Sequence, residues 1–241
     1  SVSLTVSLSV RIDDQTGYES AHAAMRNLYE VWAKELGVNV YLGDVHRYEP
    51  ENDNTINNPV GFIVSATAPV LDVKKTLSPV ACVGDDVLLA IDLSEKNYGL
   101  AASAFAEVQG LLGDDPASAD LSQLPAFFNT IQYLIANKLV SAYHDRSDGG
   151  FIVALIEMCF ATHAGMDINL DGFGRDYLSA LLDEGPGAVI QVSQKNLDDV
   201  MAVFDQAGLG HSVIPLGRMQ STHHFNMTYG EIGCALSHLT L

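Results

Sequence analysis

The chain opens with Ser1-Val-Ser-Leu-Thr-Val-Ser-Leu-Ser-Val10, where apolar residues take every second position without a break. Side chains alternate between the faces of a strand, so this pattern predicts a half-buried strand with its valines and leucines inward. Over residues 18–36 the period changes. Met25, Leu28, Trp32 and Leu36 recur at helical spacing and Gly37 follows as a stop, which predicts an amphipathic helix. Residues 38–42 read as a short apolar strand, and 60–70 and 87–93 as buried strands. Between the first two of these, residues 47–59 are rich in Asn, Asp and Glu with a proline near each end, the signature of an exposed loop. Helices are expected over 100–112 and 121–139, the second capped by Ser122, with Pro125 in its first turn, where proline is tolerated. Phe127, Phe128 and Tyr133 fall at helical spacing with Ile131 and Leu134 and read as core. Then come helix 150–163, strand 166–170, helix 176–182, strand 187–193, helix 195–207 and strand 211–218. Helices alternating with mostly apolar strands predict an α/β chain, a mixed sheet with flanking helices.

Chemistry concentrates in Ala142-Tyr-His-Asp-Arg-Ser-Asp-Gly-Gly150. Seven residues bring together His144, Asp145, Arg146, Ser147, Asp148, Gly149 and Gly150, just ahead of the apolar helical run that begins at Phe151. A Gly-Gly turn opening a helix aims backbone N–H groups and the positive end of the helix dipole at whatever lies in front of it. Carboxylates beside such a cradle suit a hard cation that accompanies a phosphate. The same residues also suit a capped polar turn, with Ser147 or Asp148 as N-cap. Arg146 fits a phosphate bridge and a pairing with an acidic neighbour equally well.

Composition narrows the classes. Lys and Arg number 12 against 30 Asp and Glu, a net charge of −18. Such a chain lacks the basic patch that nucleic-acid or anionic-membrane binding requires, so no nucleic acid and no membrane are expected among its partners. No run of 18 apolar residues suggests a membrane span, and no secretory leader pattern opens the sequence. The absence of an initial Met suggests a processed or trimmed start. Cys82, Cys159 and Cys234 are sparse and lack metal-ligand spacing, which suits free thiols in a reducing compartment and a cytoplasmic location. Cys234 and His238 lack the strand–elbow–helix context of a nucleophile. His163 reads as a partner of a helix C-terminus. His223 and His224 point to opposite faces of a strand-like run and could not chelate together without a bend.

The run His144-Asp-Arg-Ser-Asp-Gly-Gly150, with its Ala-Leu-Ile-Glu-Met-Cys-Phe-Ala helix and Ala164-Gly-Met-Asp167, resembles the C-terminal part of formylglycinamidine ribonucleotide synthetase. That enzyme of purine biosynthesis is a member of the aminoimidazole ribonucleotide synthetase-like ATP-binding superfamily. The resemblance extends through the stretch from Val64 to Pro79, through Asp86-Val-Leu-Leu-Ala-Ile-Asp-Leu93 and through Gly187-Ala-Val-Ile-Gln-Val192. It implies a remnant of an N-terminal-type, dimerising domain over 1–75, a C-terminal-type nucleotide- and phosphate-binding domain over 76–220, and a tail over 221–241. The form of the motif resembles the enzyme's second half, which holds an auxiliary nucleotide and does not turn over substrate. The resemblance therefore implies no catalytic residue in this chain. It implies Asp145 as a Mg²⁺ ligand, Ser147, Gly149 and Gly150 as contacts to ADP or ATP, and His144, Arg146, Asp148 and Glu184 in support. It also implies a homo-oligomer or a subunit of a larger complex, completed by a glutaminase domain or subunit. The opening strand is expected to present an unpaired apolar edge.

The chain departs from the family pattern in several places. A Gly-Lys-Asp-Ser element is replaced by Leu42-Gly-Asp-Val45, Leu-Gly-Gly-Ser by Leu100-Ala-Ala-Ser103, and Asn-Glu-Glu by Asp183-Glu-Gly-Pro186, which keeps only Glu184. The helical Glu-x-x-x-Asn that supplies further metal ligands has no counterpart. Two readings follow: part of an ATP-dependent purine-biosynthesis ligase supplying an auxiliary Mg-nucleotide half-site, or an inactive relative whose fold serves as a scaffold.

Overall fold

The computed structural model describes residues 2–11, 15–48, 61–70, 72–95, 98–111, 115–174 and 176–237. The chain divides into two compact units, Ser1–Val73 and Lys74–Leu241. Most of the polar stretch expected over 47–59 lies outside the described residues, as does His238.

In the first unit, β1 (Ser3–Arg11) is followed by α1 (Gln15–Asn27), a π-helical turn at Leu28–Trp32, α2 (Ala33–Leu36), β2 (Asn39–Tyr48) and β3 (Gly61–Thr67). The period-2 reading of the opening segment holds: Leu4, Val6 and Val10 are buried, and Leu28 packs with Leu4 and Val6. The expectation of an unpaired edge does not hold. β1 is the central strand, parallel to β2 and antiparallel to β3. The edges are β2 and β3, and β3, read from sequence as buried, is almost wholly exposed. An unbroken apolar run cannot distinguish a central strand from an edge strand, because neighbours rather than composition decide burial. Gly37 ends the helical stretch at φ +62°, the left-handed cap that its position predicts.

In the second unit, seven strands form one sheet, ordered β10-β9-β6-β8-β4-β7-β5. They are β4 (Val87–Asp92), β5 (Ala142–Asp145), β6 (Gly165–Asn169), β7 (Gly187–Val192), β8 (Val213–Gln220), β9 (His224–Tyr229) and β10 (Ile232–Ser237). All neighbours are antiparallel except β6 and β9, so the sheet is mixed. The helices are α3 (Ala104–Gln109), α4 (Leu124–Ala136), α5 (Gly150–Phe160), α6 (Tyr177–Leu182) and α7 (Leu197–Gln206). Along β4, Leu88 and Ala90 face the core built on Phe151, Leu155 and Met158 of α5. Val87, Leu89 and Ile91 face the opposite core, with Ile131 and Leu134 of α4 and Val200 and Phe204 of α7. Both faces of the central strands are therefore covered, which is why β4 and β7 read as continuous apolar runs. The segment expected as a tail over 221–241 supplies β9 and β10.

Several boundaries and packings differ from expectation. α3 begins at Ala104 because Ser103 is its N-cap and accepts from the Ala106 N–H. Before α4, Asp120 rather than Ser122 caps the 3₁₀ turn, accepting from the Ser122 N–H. Phe127 packs into the core as expected, whereas Phe128 and Tyr133 lie 53% exposed. β5 went unread because its four residues merge into a polar motif.

Candidate functional site

The polar motif straddles a strand end, a turn and a helix start. β5 pairs antiparallel with β7 and ends at Asp145. The Arg146 N–H then donates to the Gly187 carbonyl (2.9 Å) and the Gly150 N–H to the Ser147 carbonyl (2.9 Å), closing the turn. Gly149, at φ +84°, is the N-cap of α5 and makes no side-chain cap hydrogen bond of its own. The expected capping by Ser147 or Asp148 is therefore absent, and both residues are exposed. Gly150 follows at φ +73°, buried, where a Cβ would press on the backbone of Leu181, Leu182 and Asp183. Close approach of the loop to the end of α6 thus requires the second glycine, whatever else the loop does.

Arg146 points inward, with its side chain fully buried. Its Nη1 pairs with Asp92 at 3.0 Å and its Nη2 with Asp183 at 3.5 Å. Nε donates to the Gly185 carbonyl (2.6 Å) and Nη2 to the Pro186 carbonyl (2.7 Å). The Ser94 hydroxyl accepts from Nη2 and donates to Asp183 Oδ1, and the guanidinium lies 4.3 Å from the centre of the Phe151 ring. Between the two sequence readings of Arg146, pairing with acidic neighbours is the one realised. Buried in this way, the guanidinium offers no donor fork to a phosphate at the surface. Burial holds the Asp92 carboxyl above the usual carboxylate range, against the pull of Arg146, and lowers Arg146 despite its two carboxylates. The Tyr98 hydroxyl is raised by burial and by Asp92.

The outer face of the motif differs in character. Asp145, Ser147 and Asp148 are exposed. His144 is tied down: its Nε2 meets Glu157 Oε2 at 2.9 Å and its Nδ1 faces the Asp145 carbonyl oxygen at 2.7 Å. Glu184 Oε1 accepts from the Gly149 N–H (2.7 Å) and from the Ala104 N–H at the start of α3 (2.8 Å). The structure therefore gathers Asp145, Ser147, Asp148, Gly149 and Glu184 around one turn and sends Arg146 beneath it. Sequence reasoning missed Asp92, Ser94, Tyr98, Asp183 and Glu157. The one local signal was Asp92 itself, a charge that interrupts a strand apolar on both faces.

Residues 83–230 match the model of the AIR synthase related protein, C-terminal domain. The chain belongs to this family. The fold of E. coli HypE, a hydrogenase maturation protein, is similar over 98% of this chain and 72% of that one, at 18% identity and a TM-score of 0.68. A HypE structure in complex with ATP matches at 17% identity and the same TM-score. T. maritima PurL complexed with FGAR matches 98% of this chain at 13% identity and a TM-score of 0.71, although this chain spans only 38% of PurL. At these identities the likeness is one of fold, and it extends to HypE and PurL alike. The AIR synthase C-terminal-like fold and the mixed sheet expected from the sequence are thereby borne out.

For Mg²⁺, the described residues include no group of three or more His, Cys, Asp or Glu placed to hold an ion. Asp145 provides one exposed carboxylate. That set fits a Mg²⁺ carried mainly by nucleotide phosphates and water, which needs only one or two protein carboxylates, and does not fit a closed protein cage. No described helix is long and apolar enough to cross a membrane.

Proposed function

We propose that this chain is the nucleotide-holding part of an ATP-dependent ligase of the formylglycinamidine ribonucleotide synthetase type, binding Mg-ADP or Mg-ATP at the turn from His144 to Gly150. The observation that carries the proposal is the split character of the motif. Its cation is spent inside on Asp92 and Asp183, while Asp145, Ser147 and Asp148 face outward beside the start of α5. That arrangement suits a ligand bringing both phosphate and its own Mg²⁺: helix N–H groups meet the phosphate and Asp145 meets the ion. Relatives of similar fold have been solved with ATP, which supports the ligand class. The His-Asp-Arg-Ser-Asp-Gly-Gly resemblance is what favours the purine ligase over a HypE-like role. Cytoplasmic location and assembly with a glutaminase partner belong to the same reading.

Asp145→Asn is expected to weaken Mg-nucleotide binding about 10- to 100-fold by removing one charge-assisted ligand. Calorimetric titration with Mg-ATP checks this, with Mg²⁺ omitted as control; equal affinities for the two proteins would remove Asp145 from the site. A scaffold role is the second reading, favoured by a specific observation: Ala102 stands at φ +59° in a loop where the resemblance calls for glycine. Absence of Mg-nucleotide binding by the chain within its native assembly would select it.

A further inference from the structure

Glu184 occupies the position that an anionic ligand of the glycine turn would need. Its Oε1 accepts from the Gly149 N–H at 2.7 Å and from the Ala104 N–H at 2.8 Å, so amides at the starts of α5 and α3 converge on one carboxylate oxygen. The backbone carrying Glu184 is held in place. Arg146 binds the carbonyls of Gly185 and Pro186 at 2.6 and 2.7 Å, and the neighbouring Asp183 is buried against the same guanidinium. The Glu184 side chain, by contrast, is only half-buried. The backbone of the turn is thus fixed, and only a rotation of the half-buried Glu184 side chain, breaking both hydrogen bonds, would release the two amides. A phosphoryl oxygen approaching the Gly149 N–H meets a like charge already bonded to that donor, and two anions cannot share it without strong repulsion.

We propose that Glu184 is an internal competitor, a self-ligand that fills the glycine-turn amides in the ligand-free chain and must swing outward before a phosphoryl group binds. This inference rests on the reading that Mg-nucleotide binds at this turn, and it adds a gate to that site. A self-ligand lowers apparent affinity by the fraction of molecules in which it is displaced. Its removal should therefore tighten binding, whereas removal of a merely structural tie should loosen the turn and weaken binding.

The test is titration of the chain, Glu184→Ala and Glu184→Gln with Mg-ATP, with amide exchange at Gly149 and Ala104 followed in the absence of nucleotide. Glu184→Ala is expected to bind about tenfold more tightly or better, and its Gly149 and Ala104 amides to exchange faster. Glu184→Gln keeps an acceptor oxygen but no charge and should fall between the two. Binding by the variant alone would support both the gate and the nucleotide site. Wild-type binding that the alanine variant only matches or loses would overturn the gate and leave the nucleotide reading standing. No binding by any of the three would overturn both. Should the alanine variant fail to fold, the glutamine variant decides alone, since affinity no higher than wild type contradicts the gate.

Discussion

Ala102 adopts φ +59°, and Tyr98 four residues earlier adopts +36°. A left-handed conformation places an L-residue's Cβ against the following carbonyl at a cost of about 1–2 kcal/mol. Glycine would relieve that strain while giving back part of the gain as unfolded-chain entropy. Ala102→Gly should therefore stabilise the second unit by about 0.5–1 kcal/mol, read from the urea midpoint; a destabilised variant would mean that the methyl contributes packing. Arg146 presents the opposite case. Removing it as Arg146→Met leaves Asp92 and Asp183 buried without their counter-charge, expected to cost about 3–5 kcal/mol. Loss of less than about 1 kcal/mol in a urea titration would show that the buried ion pairs contribute little net stability. For Arg146 the sequence offered acidic pairing and phosphate binding equally, and burial decides between them; for Ala102 the only sign was the glycine that the resemblance calls for. Composition alone leaves no trace of a backbone angle in an Ala-Ala-Ser tripeptide, and an arginine among aspartates and glycines suits a phosphate or an acidic partner equally until its burial is known.

Elements were more legible than the residues between them. β4, β7 and α7 were readable because burial on both faces, or a strong helical period, dominates their composition. β5 and the order of the first unit's strands were not, because pairing partners distant in sequence decide them. The β9–β10 hairpin shows how such long-range ties work. Asp171, just past β6, accepts from the Gly230 N–H at the hairpin turn (2.7 Å), while Asn169 also donates to its carboxylate (3.1 Å). Those donors hold its carboxyl below the usual carboxylate value, the hydrogen bond from Gly230 most of all. A group whose folded pKa is lowered contributes stability above its unfolded value and loses it as pH falls through the folded one. Asp171→Asn should therefore have a lower melting temperature than wild type near neutrality. The gap should close as pH drops below about 4, the ordinary aspartate range. A gap that persists at pH 2–3 would assign the effect to geometry rather than charge.

At the scale of the whole molecule, net charge sets the long-range field that the proposed nucleotide ligand would meet. The chain carries −18, and the cation nearest the glycine turn, Arg146, is fully buried and committed to two carboxylates. A polyphosphate approaching this surface meets net repulsion, offset locally by Mg²⁺ and helix N–H groups. Added salt screens the long-range repulsion more than the close contacts, since the Debye length falls to about 10 Å at 0.1 M. Proteins that grip phosphates with lysines and arginines lose affinity steeply as salt rises. Here the opposite is expected: at saturating Mg²⁺, ATP affinity should stay flat or rise between about 50 and 200 mM monovalent salt, a range over which the Debye length shortens through about 10 Å. Calorimetric titration at the two salt concentrations reads the sign directly. A tenfold fall would mean that exposed lysines or arginines hold the phosphates, and would move the site away from the turn at His144 to Gly150.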